Sequence, residues 1–263
     1  YGVEPTHPEG KRDLFKAHQR KLAAEDYTHD LTSNVRYQRL KLVMDYWCAL
    51  WFWPVAEAVR FPTQEGYREL DSEQQNVVSR LKKTWRFFHW HLAFPEVFDG
   101  ARPGFDAVFA NPPWETLQPE SKAFFEEVEP GFSNLNRKAA QARRDELCAQ
   151  SPALERRWID YIDGVGALSA FFKRPRSGGL TFEHQGSGKP HLHKLFVERC
   201  YDLCRSGGAL GLIIPSAIAT DYGAEPLRRL LFEHSELRWL YGFENRDRLF
   251  DIHRSYKFSV LIA

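Results

Sequence analysis

Four consecutive residues, Asn111-Pro112-Pro113-Trp114, follow directly after the short apolar segment 105–110. Asn111 offers a side-chain amide oxygen, and the proline rings restrict the backbone so that the Pro112 carbonyl oxygen points in a fixed direction. Two acceptors held in this way can draw the hydrogens of an exocyclic amine, such as that of adenine, out of the ring plane and return electron density to its nitrogen. Trp114 adds a flat surface on which an extruded base can stack, worth about 1–3 kcal/mol. We therefore expect all four residues to be catalytic, with Trp114 also stacking on the base.

The tetrapeptide on its own is equally typical of a turn that follows a strand, because Asn and Pro are common in turns. The segment before it, Phe-Asp-Ala-Val-Phe-Ala, is apolar and β-prone, which favours the functional interpretation. Open α/β sheets bind their ligands at the carboxyl ends of their strands, where these residues would lie. Such a site needs no strongly basic side chain, since positioning and hydrogen bonding can supply the catalysis.

Strand-like and helical segments alternate from residue 105 onward. The predicted strands are 105–110, 209–214, 237–243 and 257–263, and the predicted helices are 193–205, closed by Ser206-Gly207-Gly208, and 226–232. Pro215 should end the second strand, because proline cannot donate to a ladder. Alternation of this kind predicts an α/β fold with helices layered on a mostly parallel sheet.

The rest of the chain predicts two further regions. Residues 1–100 are mainly helical, and we expect them to pack on the sheet of the second region, 101–263. The helices predicted in the first region are 11–25, 37–52 before Pro54, and a stretch from a cap at Asp71 through Lys83. Residues 115–190 are polar, helix-rich and too long for a simple connection, which predicts a helical insertion.

Composition limits the class of protein. Hydrophobic residues make up 43% of the 263-residue chain, and 36 basic against 35 acidic residues leave a net charge of +1, which argues against disorder. The longest apolar block, 47–56, is half the roughly 20 residues of a membrane helix, so no membrane contact is expected. No secretory signal opens the chain and no CxxC pair is present, which predicts a cytoplasmic protein with reduced thiols. A start at Tyr1 indicates a piece of a larger polypeptide.

The segment 105–114 resembles motif IV of the class I S-adenosylmethionine-dependent amino-methyltransferases. Other segments are similar to the large N6-adenine DNA methyltransferases of type IIG restriction–modification and BREX-type phage-defence systems. These segments are 45–52, 88–98, 193–196, 207–215, 243–246 and 250–258. The resemblance implies the half of the methyltransferase fold that runs from motif IV to motif VIII, with double-stranded DNA as a partner.

The resemblance also implies roles for individual residues. Asn111, Pro112 and Trp114 would be catalytic and base-stacking, and Phe250, at the motif VIII position, would pack against the flipped adenine. Phe109 and Ala110, with Asn111, would border the methyl group of the cofactor S-adenosylmethionine. The implied fold is a partial Rossmann-like sheet with strands in the order 4-5-7-6.

One departure from the family is large. Its glycine-rich cofactor turn and its ribose-binding acid do not precede residue 105, and Asp163-Gly164-Val165-Gly166, the one Gly-x-Gly near an acid, follows no predicted strand. We therefore expect a substrate-side half that is inactive alone. Strand 105–110 would then be an edge where strand 1 belongs, and we expect the N-terminal helices or another chain to cover that edge.

Basic residues suggest where DNA phosphates could bind. The candidates beside the base pocket are Arg246, Arg248 and Arg254, and those in the insertion are Lys173, Arg174 and Arg176, with Lys189 and Lys194 nearby. Such clusters are typical of phosphate-contacting surfaces and equally of solvated helix faces.

Other signals predict little. Gly186-Ser187-Gly188-Lys189 lacks the spacing of a phosphate-binding loop, and the histidines lack the spacing of a zinc site, so no metal is expected. Two alternatives remain at this point: an amino-methyltransferase acting on protein glutamine or rRNA, and a non-catalytic DNA-binding or assembly fragment. A target-recognition domain is expected beyond Ala263.

Overall fold

A computed structural model describes residues 33–62, 70–173, 182–186 and 188–263. The predicted helix 11–25 lies outside these residues. The chain divides into two compact units, one up to Asp99 and one from Gly100 onward. No helix among the described residues is long and apolar enough to cross a bilayer.

The described part of the first unit is helical. Its helices are α1 (Val35–Trp51), a 3-10 helix (Val55–Arg60), α2 (Ser72–Trp85), α3 (Trp90–Ala93) and α4 (Pro95–Phe98). The predicted helix 37–52 is confirmed and ends before Pro54. The cap at Asp71 is also confirmed, because its carboxylate accepts from the Gln74 backbone while the Gln74 side chain accepts from the Asp71 N–H.

The second unit is built on a four-stranded sheet with helices, so a mixed α/β fold is confirmed. Its strands are β1 (Phe105–Ala110), β2 (Cys204–Pro215), β3 (Trp239–Glu244) and β4 (Lys257–Ile262), in the spatial order β1-β2-β4-β3. Only β1 and β2 pair in parallel, because residues 245–256 return the chain antiparallel to β3 and place β4 in the middle. The prediction of a mostly parallel sheet is therefore wrong.

Helices form a subdomain between β1 and β2. They are α5 (Ser121–Glu126), α6 (Arg137–Gln150) and α7 (Pro152–Lys173). They share their own core of Phe125, Phe132, Ala140, Leu154 and Trp158. The stretch after the Asn-Pro-Pro-Trp sequence thus buries apolar surface independently of the sheet.

Helices also cover one face of the sheet. They are α8 (Leu192–Leu203), α9 (Ala217–Thr220) and α10 (Glu225–Glu233). The covered face carries Leu210, Leu212, Ile214 and Leu261, whereas Phe109 on the opposite face is 77% exposed. Trp239, Tyr241 and Phe243 share that opposite face and are also exposed.

The sequence placed the end of α8 incorrectly. Residues 204–205 were predicted as helical and 206–208 as a closing turn, but β2 begins at Cys204, which pairs with Phe105. The next pair is Ala107 with Ala209, so β2 carries extra residues in an irregular stretch. Gly207, at φ +71°, allows this stretch to fold back into the ladder, which no local pattern announces.

Candidate active site

The Asn-Pro-Pro-Trp sequence lies at the carboxyl end of β1. Pro112 is buried, whereas Asn111 and Pro113 are exposed and Trp114 is half-buried. The Asn111 side chain has no hydrogen-bond partner among the described residues, so its amide oxygen is free to accept from a ligand. An exposed amide beside a buried proline is an acceptor on a fixed support.

The backbone after this sequence is tied to the start of α8. The Leu192 N–H donates to the Glu115 carbonyl at 2.9 Å, and the Leu117 N–H donates to the Pro190 carbonyl at 2.8 Å. Residue 191 contributes to the same short antiparallel bridge, with the His191 Nδ1 atom 3.2 Å from Thr116 Oγ1. The candidate catalytic corner is therefore held between β1 and α8.

Trp114 stands at the centre of an aromatic cluster. Its ring lies parallel to that of Tyr256, 10° apart with centroids 5.5 Å apart, and 6.0 Å from the Phe258 ring. Its indole N–H donates to the Ile213 carbonyl of β2 at 3.3 Å. Phe250 meets Trp114 at 5.0 Å and 61°, so the structure brings together the two candidate base-stacking residues, which are far apart in sequence.

Asn245 organises the loop that carries Phe250. This residue is fully buried, and its side-chain amide hydrogen-bonds the Phe250 N–H at 3.0 Å and the Phe250 carbonyl at 2.9 Å. Its own backbone N–H donates to the Tyr256 carbonyl at 2.9 Å, which closes the two ends of the loop. Sequence reasoning assigned no role to Asn245 or Tyr256. The segment that holds them belongs to the family resemblance, but nothing local separates a buried Asn from one in an exposed turn.

The loop 245–256 also carries three of the candidate DNA-contacting residues. Arg246, Arg248 and Arg254 are all exposed, and Arg246 forms an ion pair with Glu244 at 2.8 Å. Arg248 adopts φ +54°, the left-handed region that non-glycine residues seldom occupy. The loop that carries Phe250 thus exposes three arginines together with Asp247 and Asp251.

The basic residues of the insertion are less informative. Lys173 is the exposed last residue of α7, and Arg174 and Arg176 lie outside the described residues. Lys194 is buried, and its ammonium group donates to the carbonyls of Gln185 and Gly223 at 3.1 Å each. The prediction that Lys194 belongs to a surface for phosphates is therefore wrong.

His193 is a buried neighbour of Trp114. Burial lowers the pKa of His193 to about 4. The charges of His191 and Lys194 also lower this pKa, whereas a hydrogen bond to the Trp114 backbone raises it. Its Nδ1 atom has no partner among the described residues. A neutral imidazole thus supports the backbone of the candidate site.

Phe109 and Ala110 point to opposite sides of the sheet. Ala110 packs on the helix-covered core, whereas the Phe109 ring lies over Gly211 so closely that a Cβ atom there would stand 2.4 Å from a ring carbon. Of the two, only the Phe109 side chain lies on the open face.

The described residues do not by themselves fit S-adenosylmethionine. Asp163-Gly164-Val165-Gly166 lies inside α7, so it forms helix and not the tight turn that a nucleotide cofactor needs. Gly186, at φ +69°, packs against the Gly223 carbonyl and so serves packing. Within the described part of the chain, no other glycine-rich turn follows a strand ahead of β1.

Comparison with known protein families gives a match over part of the chain. A family model described as Eco57I restriction-modification methylase matches residues 179–250. The match runs through α8, β2 and β3 to Phe250, and supports a methyltransferase of the restriction–modification type. No curated protein matches the chain. Asn111 to Trp114 lie outside the matched residues, so the candidate motif and the family match are separate observations.

Proposed function

We propose that this chain is the substrate-side half of a DNA adenine-N6 methyltransferase in a restriction–modification or phage-defence system. The parent enzyme would transfer a methyl group from S-adenosylmethionine to an adenine flipped out of double-stranded DNA. The observation that carries the proposal is the free amide of Asn111, fixed at the end of β1 beside Pro112 and Trp114. The methylase family match supports it from a different part of the chain.

Asn111 and Pro112 would bind the amine of the target base. The Asn111 Oδ1 atom and the Pro112 carbonyl oxygen accept one hydrogen each, which directs the nitrogen lone pair out of the ring plane. Because Asn111 has no internal hydrogen bond among the described residues, none has to break when the amine arrives. The buried Pro112 and the bridge to α8 keep the backbone that carries both acceptors in place before the base binds.

The aromatic cluster would bind the extruded base. Trp114, Phe250 and Tyr256 supply the ring surface. The Trp114 ring centroid lies 5.0 Å from that of Phe250 and 5.5 Å from that of Tyr256. Stacking on such surfaces is worth about 1–3 kcal/mol per base and offsets part of the cost of unstacking the adenine from the duplex. Arg246, Arg248 and Arg254, on the same loop as Phe250, would contact the backbone of the flipped nucleotide.

The cofactor half would join the sheet at β1. The order β1-β2-β4-β3, with β4 antiparallel, agrees with strands 4-5-7-6 of the class I fold, in which strand 1 lies beyond strand 4. We propose that a parallel strand from outside residues 100–263 pairs with the edge of β1 that no described strand occupies, and brings the cofactor turn. S-adenosylmethionine would supply the methyl group, and Phe109 on the open face would border it, whereas the Ala110 side chain packs on the helix-covered core.

The test is radiolabelled methyl transfer to DNA by the full-length parent protein. We expect Asn111→Ala to lower kcat by at least about 100-fold, as loss of a preorganised hydrogen-bonding group does in other enzymes. Asn76→Ala, which changes an exposed asparagine on α2, is the matched control and should label DNA as the wild type does. Undiminished labelling by Asn111→Ala would refute the role of Asn111. Label found in protein or RNA, with none in DNA, would favour the alternative substrates.

A further inference from the structure

Asn245 is a fully buried, uncharged residue at the end of β3 for which no function has been given so far. It lies where the chain leaves the sheet to form the loop 245–256. The last ladder pair, Glu244 with Lys257, adjoins it, and the bond from its N–H to the Tyr256 carbonyl extends that pairing by one step. The backbone of Asn245 is therefore tied to the sheet, although Asn245 is the first residue of the loop.

The Asn245 side chain hydrogen-bonds the loop, and two of these bonds go to the backbone of Phe250. Its Oδ1 atom accepts from the Phe250 N–H at 3.0 Å, and its Nδ2 group donates to the Phe250 carbonyl at 2.9 Å and to the Ile252 carbonyl at 3.1 Å. Both backbone hydrogen-bonding groups of Phe250 thus bond to one amide, and the Phe250 carbonyl also accepts from the Ile252 N–H at 2.8 Å. The position of the Phe250 Cα–Cβ bond follows from these contacts.

The backbone position of Phe250 determines where its ring lies. The ring meets Trp114 at 5.0 Å and Phe258 at 5.0 Å, edge-on in both cases. Few other side chains could replace Asn245, because the site needs an acceptor and a donor on one short planar group. Aspartate would lack the donor and leave carbonyl oxygens facing a carboxylate, and alanine would remove the partner of the Phe250 N–H and of the Ile252 carbonyl.

We propose that Asn245 is a positioning residue that orients Phe250 against the extruded base and does not itself touch the substrate. This inference rests on the proposed function, in which Phe250 stacks on the flipped adenine. Its structural part, that Asn245 fixes the backbone of Phe250, holds in the absence of DNA and can be measured separately.

The first measurement is amide hydrogen exchange of the full chain without DNA. We expect Asn245→Ala to speed exchange of the Phe250 amide by more than about tenfold, since one buried hydrogen bond is lost. Ser259→Ala is the matched control, because it removes a buried polar group on β4 whose hydroxyl pairs with Ser216 on the helix-covered side. That control should leave the Phe250 amide unchanged. Equal exchange at Phe250 in wild type and Asn245→Ala would overturn the inference.

The second measurement is a double-mutant cycle on methyl transfer by the full-length parent. If Asn245 acts only through Phe250, the variant Asn245→Ala with Phe250→Ala should be no slower than Phe250→Ala alone. Asn245→Ala alone should lower kcat by about tenfold or more. Additive losses would show a general structural role and overturn the inference.

A variant of the same shape as the wild type covers failure of Asn245→Ala to fold. Asn245→Asp keeps an acceptor for the Phe250 N–H and removes the donor, so exchange at Phe250 should stay nearer to the wild type while methyl transfer falls. Wild-type methyl transfer by Asn245→Asp would count against the inference. Absence of methyl transfer by the wild type would refute the proposed function, whereas the exchange result would still decide whether Asn245 holds Phe250.

Discussion

Asn111 and Pro112 illustrate how neutral groups can form a candidate catalytic site. Neither carries a titratable atom, and the chemistry proposed for them depends on the direction of two oxygen lone pairs. The burial of Pro112 and the hydrogen bonds of residues 115 and 117 supply that direction. The nearest titratable support is His193, which meets the Trp114 backbone.

His193 should make stability fall with acid. Burial lowers its pKa from 6.5 to about 4, so between these values the unfolded chain binds a proton that the folded chain does not. Stability is therefore complete above pH 6.5 and is lost as the pH falls toward 4, by about 2 kcal/mol between pH 7 and pH 5 from this residue. Denaturant unfolding at both pH values measures the loss.

The comparison variant is His193→Gln, which has no imidazole to titrate. Its stability should depend less on pH between 7 and 5 than that of the wild type, even if it is less stable at pH 7. His191, whose pKa burial also lowers, remains in both proteins and contributes equally to each. An identical pH slope in the two proteins would show that His193 is accessible to protons in the folded state.

At the scale of elements, the spacing of apolar residues and the positions of proline and glycine predicted most of the helices and strands. β1 is confirmed residue for residue, because an apolar run bounded by Gly104 and Pro112 leaves little alternative. β2 was predicted five residues too short at its start, because Cys204 to Gly208 gain their strand conformation from pairing with β1. Pairing across about 100 residues has no local signature.

Segment 182–186 should depend on glycine at a single position. Gly186 has φ +69°, and a Cβ atom there would stand 2.2 Å from the Gly223 carbonyl oxygen. Gly188 has φ +100°, and a Cβ atom there would have no neighbouring atom of the described residues within 4 Å. We expect Gly186→Ala to lower the free energy of unfolding by more than Gly188→Ala does. Both carry backbone strain of about 1–2 kcal/mol, and only the first adds a clash with backbone. Equal losses in urea unfolding would show that the 182–186 segment moves aside freely.

The candidate site was only partly predictable for the same reason. Residue types and a family resemblance indicated Asn111, Trp114 and Phe250. The contact of Trp114 with Phe250 and Tyr256 depends on β4 lying beside β2, which is a property of the sheet. The role of Asn245 depends on its burial beneath a loop, and sequence alone does not give burial of a polar residue.

At the scale of the whole molecule, helices of the second unit cover one face of the sheet, and among the described strands β1 pairs with β2 alone. Parallel strands are usually buried on both faces, so an exposed Phe109 on a parallel edge strand indicates a surface that another element completes. This agrees with the proposal that the cofactor turn belongs to a strand outside residues 100–263.

Cofactor affinity should therefore separate this chain from its full-length parent. Isothermal calorimetry should detect S-adenosylmethionine binding by the parent and none by the 263-residue chain at concentrations up to about 1 mM, an affinity of roughly 4 kcal/mol. Circular dichroism on the same samples would check that the chain is folded. Micromolar binding by the chain alone would mean that it holds a complete cofactor site.

The structure of the full-length parent bound to a DNA duplex and a non-reactive cofactor analogue tests the central claim most directly. We predict that the target adenine lies outside the helical stack, with its amine nitrogen about 2.7–3.2 Å from both Asn111 Oδ1 and the Pro112 carbonyl oxygen. Its ring should contact Trp114 or Phe250. An adenine still stacked in the duplex, or an amine bound by other groups with Asn111 facing solvent, would contradict the account.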